Sequence, residues 1–174
     1  MHLSQKEHMI DSINKYLTYV PRLDILDVGS YDTNTGNYRE LFNKPNWNYT
    51  GLDIISGPNV DIVLEDPYKF PLEDNKYNIV ISGSAFEHIE FFWLTFQEMT
   101  RVLKAPGYIF LCAPSRGPEH KHPVDCWRFY PDGFRALAKY CSLEVLEVHT
   151  DWEKHSSWES AEHGDTIGVF WKGK

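Results

Sequence analysis

A doubly wound α/β fold, with helices on both faces of a mostly parallel sheet, is predicted from three features of this 174-residue chain. Seven short apolar runs alternate with helical or polar stretches. Two of them, residues 77–82 (YNIVIS) and 108–113 (YIFLCA), are almost continuously apolar, as strands buried on both faces are. Residues 23–42, LDILDVGSYDTNTGNYRELF, run from an apolar strand through Asp27 and Gly29 into a polar turn and the start of a helix. In a doubly wound sheet that order opens the first strand onto a nucleoside crevice.

Residues 4–19 carry Met9, Ile10, Ile13 and Leu17 at three- and four-residue spacing, which predicts an amphipathic helix ended by Pro21. Strands follow at 25–28, 49–54 and 60–64, with a short helix at 37–43 after the first. Only residues 54–59 separate the second strand from the third, too few for a crossover helix, so the sheet edge there should be thinly covered. Two prolines and many charges make 66–76 a loop. After the strand at 77–82, a helix is predicted over 91–103, stopped by Lys104-Ala105-Pro106-Gly107. The strand at 108–113 leads into a His-, Pro- and Arg-rich insertion at 115–130. A helix with proline in its first turn (131–140) and strands at 143–149 and 166–171 complete the chain.

The length suits a single domain spanning 1–174, with residues 1–20 as an N-terminal helix and 116–130 as a substrate-side loop. A net charge of −8 provides no global basic field for a polyanion, so a nucleic-acid partner is not expected. Cys112, Cys126 and Cys141 are too few and too widely spaced for a disulfide framework. The N-terminus MHLSQKEHMIDS has no leader pattern, and no run is long enough to span a membrane. A soluble cytoplasmic protein is expected.

DVGSYDTNTGNYR, YTGLDI with GPNVDIV, SAFEHI and EMTRVLKAPGYIFLCAPS, in that order, resemble the successive motifs of class I S-adenosylmethionine-dependent methyltransferases. The resemblance is to the small type 11 members, often found beside glycan-assembly enzymes, and runs from about Leu26 to Leu137. It implies a Rossmann-like, doubly wound, seven-stranded, mostly parallel sheet with the last strand antiparallel. It also implies S-adenosylmethionine as cofactor and S-adenosylhomocysteine as product.

Carried onto this sequence, the resemblance makes Asp27 the partner of the methionyl amino group, with Gly29, Ser30 and Tyr31 in the turn whose N–H groups can cradle the carboxylate. Tyr31 and Thr33 stand where the family has further glycines. Asp53, with Ile54 beside it, falls where an acid accepts the ribose hydroxyls. Asp66 and Pro67 match the adenine side, although Glu65 competes for that role. Ser82 and Ser84 flank Gly83 beneath the sulfonium. Each of these also has an ordinary turn or loop reading.

His88 of the Glu87-His88 pair could orient or deprotonate an acceptor hydroxyl, or cap the next helix. The stretch GPEHKHPVDCWRFY resembles the subfamily's H-x-x-Pro-x-Asp-x-Trp-Arg-Phe. There His122 and Asp125 could act as a base and its orienter, or Arg128 could pair with Asp125 while Trp127 anchors the loop. His120, His122, Asp125 and Cys126 lack the second Cys or His pair of a strong metal motif, so no metal is expected. Trp152, His155, Trp158 and His163 could stack on a sugar or simply pack.

The G-x-G-x-x-G of nicotinamide enzymes, the Pro-Pro-aromatic signature of DNA amino-methyltransferases and the Pro-Cys of cytosine-C5 enzymes are all absent. What remains is methyl transfer to an oxygen, or a nitrogen, of a small-molecule or glycan acceptor. The alternative is a non-catalytic domain that binds S-adenosylmethionine, S-adenosylhomocysteine or a protein partner on the same fold.

Overall fold

The computed structural model describes residues 3–33, 36–152 and 164–174. Seven strands form one sheet: β1 (Leu23–Val28), β2 (Trp47–Asp53), β3 (Ile62–Val63), β4 (Tyr77–Gly83), β5 (Leu103–Arg116), β6 (Glu144–Thr150) and β7 (Gly164–Lys172). Their spatial order is β3-β2-β1-β4-β5-β7-β6. β1 pairs in parallel with both β2 and β4, and β7 runs antiparallel to β5 and β6, as expected of the last strand. The order reverses between β1 and β4, so their carboxyl ends diverge into a crevice.

Alternation along the strands sends successive side chains to two cores. Ile25, Ile79, Ile81 and Phe110 pack beneath helix α1 (Leu3–Tyr16) with Met9, Ile13 and Leu17. Leu26, Val28, Val80 and Leu111 face α2 (Phe92–Val102) and α3 (Pro131–Tyr140), where Phe96, Met99 and Phe134 fill the layer.

Several boundaries differ from expectation. The first helix ends at Tyr16, and the helix expected over 37–43 is one 3₁₀ turn, Arg39–Phe42. β3 keeps only two residues of the five expected. β5 is longer than predicted at both ends. Leu103 already pairs with Tyr77 before a bulge, and pairing with β7 continues to Arg116, opposite Gly164. No helix follows β2, and Ile54, Ile55 and Val63 are about half exposed there, which bears out the thin cover. Among the described residues, no helix is long and apolar enough to cross a membrane.

Candidate active site

The turn after β1 is fastened from outside. Gly29 has φ +78°, and a Cβ added to it would lie 2.3 Å from the Cβ of Ala85, so glycine is required where β1 and the end of β4 approach. The N–H groups of Gly29 and Ser30 donate to the Leu52 carbonyl, that of Tyr31 to Asp53 Oδ2 and that of Asp32 to the Pro58 carbonyl. The amide cradle expected at Gly29, Ser30 and Tyr31 is therefore not formed. Lacking the family's further glycines, the turn is closed by bonds to β2 and to the 54–61 link.

Asn59, at φ +69°, is the hub of that link. Its side-chain amide donates to the Ser30 carbonyl, its backbone carbonyl accepts Ser30 Oγ, and its side-chain oxygen accepts Arg39 Nε at 2.7 Å. Arg39 also pairs with Asp61 and lies over the Tyr49 ring. The Tyr49 hydroxyl donates to Asp27 Oδ2.

Asp27 is 2% exposed, and its Oδ1 is buried with no hydrogen-bond partner. Burial, helped by the nearby Asp53 charge and opposed by the Tyr49 hydrogen bond, raises its pKa to about 7. The folded protein thus holds a proton that the unfolded chain releases near pH 3.8. The bare protein is expected to lose stability as pH rises from about 4 to about 7, and Asp27→Asn should flatten that slope in urea unfolding. Charge-assisted donation to the orphaned oxygen relieves the same burial, so the position fits an ammonium group.

Asp53, at the end of β2, accepts the N–H groups of Tyr31 and Ile55 through its two oxygens, which keep lone pairs for further donors. Ile54 beside it is 47% exposed. Asp66 is exposed, and its Oδ1 closes an Asx turn with the Tyr68 N–H, while the Pro67 carbonyl accepts Thr95 Oγ1. The Tyr68 ring lies against Phe91, 5.2 Å between centroids.

The two serines beside Gly83 differ from expectation. Ser82 is fully buried and its hydroxyl donates to the Val28 carbonyl at 2.7 Å, tying β4 to β1 rather than facing a ligand. Ser84 Oγ donates to Gln5 Oε1, and Gln5 Nε2 donates to Asp165 Oδ1, so α1 is bolted across the end of β4. Gln5 was not recognisable as a site residue, although it lies four residues before Met9 on the buried stripe. Tyr38, also unanticipated, closes against Gly83, with its hydroxyl buried and unpartnered.

On the far side of the crevice, the 117–130 segment docks on the 3₁₀ turn Phe86–His88. The Glu87 carbonyl accepts the N–H groups of Cys126 and Trp127, and Trp127 Nε1 reaches the carbonyls of Ile89 and Glu90. Asp125, its side chain 2% exposed, holds both Arg128 Nη1 (2.6 Å) and Nη2 (2.8 Å) and accepts the His120 N–H. The Arg128 guanidinium keeps the Asp125 carboxyl well below the usual carboxylate range. Asp125 is therefore the loop staple and not an orienter of His122.

His88 does not cap α2. Its Nδ1 lies 2.6 Å from the Val124 carbonyl, and its ring meets those of His120 (5.0 Å) and His122 (5.4 Å) edge to face. The pKa of His120 is raised, chiefly by Glu87. His122 is exposed on the same rim. Trp152 is exposed, whereas His155, Trp158 and His163 lie outside the described residues.

A family model described as a methyltransferase domain matches residues 26–111, from β1 into β5. A search of curated proteins finds no match. Many solved structures share the fold, three of which follow. One is a provisionally assigned sarcosine dimethylglycine methyltransferase from Galdieria sulphuraria, with 19% identity, a TM-score of 0.70 and coverage of 98% of this chain and 86% of that one. A second is an S-adenosylmethionine-dependent methyltransferase from Methanosarcina mazei, with 14% identity, a TM-score of 0.63 and coverage of 87% and 93%. The third is phosphoethanolamine N-methyltransferase 2 from Haemonchus contortus, in complex with phosphomonomethylethanolamine and S-adenosylhomocysteine. Its identity is 12%, its TM-score 0.67 and its coverage 96% of this chain and 53% of that one. Residues 26–111 thus carry a methyltransferase domain, and S-adenosylmethionine is the cofactor.

Proposed function

We propose that the acceptor is a small molecule or glycan, methylated on an oxygen or a nitrogen at the His88–His122 rim. The observation that carries this reading is the polar rim itself: His88, His120 and exposed His122 stand together beside the end of β4, in a chain of net charge −8. Such a rim can hold and orient a neutral hydroxyl or amine and offers no basic track for a polynucleotide. Residues 116–130 form the substrate-side loop, and α1, tied to Ser84 through Gln5, is the cover of the crevice within a single domain spanning 1–174. Three free cysteines accord with a cytoplasmic location.

When bound, S-adenosylmethionine supplies an electrophilic methyl group on sulfur, and transfer by in-line displacement leaves S-adenosylhomocysteine. Asp27 holds the methionyl amino group through the otherwise unpartnered Oδ1. Asp53 takes the ribose hydroxyls with its remaining lone pairs, and exposed Ile54 lines the purine side. Gly29, Ser30 and Tyr31 shape the turn without giving their amides, and the Ser84 hydroxyl holds the cover. Asp66 and Pro67 border the adenine end. Alignment of the acceptor dominates the rate, since a sulfonium needs positioning more than it needs a base.

Two measurements test this. Because Asp27 must ionise to hold an ammonium, S-adenosylmethionine is expected to bind more weakly below pH 7, with proton release visible by calorimetry in buffers of different ionisation heat. Asp27→Asn should abolish that release; a pH-independent affinity in the unmodified chain would place the amino group elsewhere. In a panel of sugars, hydroxy acids and amines, His122→Ala is expected to leave cofactor affinity intact and to lower S-adenosylhomocysteine formation at least tenfold, within the range of a lost proton-transfer or orienting group. Unchanged turnover would make the loop histidine structural.

A further inference from the structure

We propose that Glu87, His88 and His120 bind one divalent transition-metal ion of the zinc class, at the carboxyl end of β4 beneath the 117–127 loop. One ligand atom from each of the three lies within 4.8 Å of the others. Glu87 is almost wholly buried, with a side chain 1% exposed, and its Oε1 stands 3.5 Å from His88 Nε2 and 3.8 Å from His120 Nε2. Its Oε2 is buried without a hydrogen-bond partner. A buried carboxylate oxygen left in that state is costly unless a cation accompanies it.

The orientation of the two imidazoles sharpens the case. His88 Nδ1 is 2.6 Å from the Val124 carbonyl, which can only accept, so Nδ1 carries the proton and a neutral ring turns a bare lone pair at Nε2 toward Glu87. His120 Nδ1 faces the Pro118 carbonyl at 3.2 Å and Asp125 Oδ2 at 3.6 Å, which fixes the same tautomer. Metal-binding histidines are held in this way, with the far nitrogen donating to a carbonyl or carboxylate. The two Nε2 atoms and the Glu87 carboxylate oxygen then face one another across a single gap. A second proton on His120 would relieve only that ring's contact and leave His88 Nε2 facing Glu87 Oε1, whereas one ion relieves all three.

Zinc-to-ligand distances of 2.0–2.1 Å place tetrahedral ligands about 3.3 Å apart, so the two separations from Glu87, 3.5 and 3.8 Å, need adjustments of a few tenths of an ångström, and the third pair lies within 4.8 Å. Two imidazoles and one carboxylate suit zinc or its first-row neighbours rather than magnesium or calcium. Three protein ligands leave a coordination position open, and exposed His122 stands 5.4 Å from His88, centroid to centroid. This set is not the one suggested by sequence spacing, because Asp125 is committed to Arg128 and Cys126 contributes its amide to the Glu87 carbonyl.

The test uses the whole chain, stripped with a chelator and desalted, and needs no turnover, so its outcome is independent of the acceptor. Titration with cobalt(II) is expected to give one equivalent of bound metal with a ligand-field absorption band, displaced by one equivalent of zinc. His120→Ala, whose side chain is one-third exposed, should fold normally by circular dichroism and lose 10- to 100-fold in metal affinity, as should Glu87→Gln. Cys126→Ser should bind as tightly as the unmodified chain. If Glu87→Gln fails to fold, His120→Ala decides alone. The site is overturned if the folded unmodified chain takes up no metal below millimolar concentration, or if His120→Ala binds it equally well.

Discussion

Gly29→Ala is expected to lower the unfolding free energy by about 2–5 kcal/mol and to abolish cofactor binding. Two independent penalties meet at this residue. Holding an L-residue at φ +78° costs about 1–2 kcal/mol, and forcing a methyl group into a filled space costs about 1–3 kcal/mol more. The obstacle is the Ala85 Cβ at 2.3 Å, which has no rotamer by which to move aside. The ends of β1 and β4 must separate, and with them Asp27 and the Glu87-His88 turn. Urea unfolding of Gly29→Ala, Ala85→Gly and the double variant resolves the two parts. The double variant should recover the steric part and leave the backbone part. If Gly29→Ala matched the unmodified chain in both stability and S-adenosylmethionine affinity, the close crossing of the two strands would be wrong.

Asp125→Ala is expected to release the 117–130 loop. The buried carboxylate joins both arms of Arg128 and the His120 amide, and breaking such a pair from one side costs about 3–5 kcal/mol when both partners are buried. Arg128 retains 23% exposure, so about 2–3 kcal/mol is expected here. The loss should appear as local opening. Amide exchange at His120, Cys126 and Trp127 should accelerate by about 30- to 150-fold, the same energy expressed as an opening equilibrium, while β1 and β4 amides stay protected. Turnover should fall with the loop, whereas S-adenosylmethionine affinity should hold. Equal acceleration throughout the sheet would show instead that the loop is part of the global fold.

These two sites show what could and could not be read from the chain. Gly29 follows the strand predicted at 25–28, which carries the acid Asp27, so its place at the mouth of a crevice was visible from local pattern alone. Asp125 has His122 three residues before it and Arg128 three residues after, so spacing could not choose between a base–orienter pair and a staple. The choice was made by the path of the loop backbone, which brings Arg128 alongside the carboxylate. The seven strands and their alternation with helices followed from apolar periodicity, whereas their order in the sheet came only with the structure. The extension of β5 to Arg116 did not, because it depends on pairing with the distant Gly164. Ser82 looked like a site residue by position in the motif, yet pleat alternation turns it inward onto the Val28 carbonyl. Nor could the sequence show that Asn59 and Asp53, residues of the next strand and its link, close the turn after Gly29.

The backbone zipper between the 3₁₀ turn and residues 117–130 carries an evolutionary consequence. Its rungs at Cys126 and Trp127 end on main-chain carbonyls of Glu87, Ile89 and Glu90, and the segment begins after Arg116 of β5 and ends just before Pro131, the first residue of α3. A graft that preserves those anchor points need not match the host's side chains at the carbonyl rungs. Residues 117–130 are therefore exchangeable as a unit, so the chemistry presented beside the Phe86–His88 turn can change while β1, β2 and β4 are inherited unchanged.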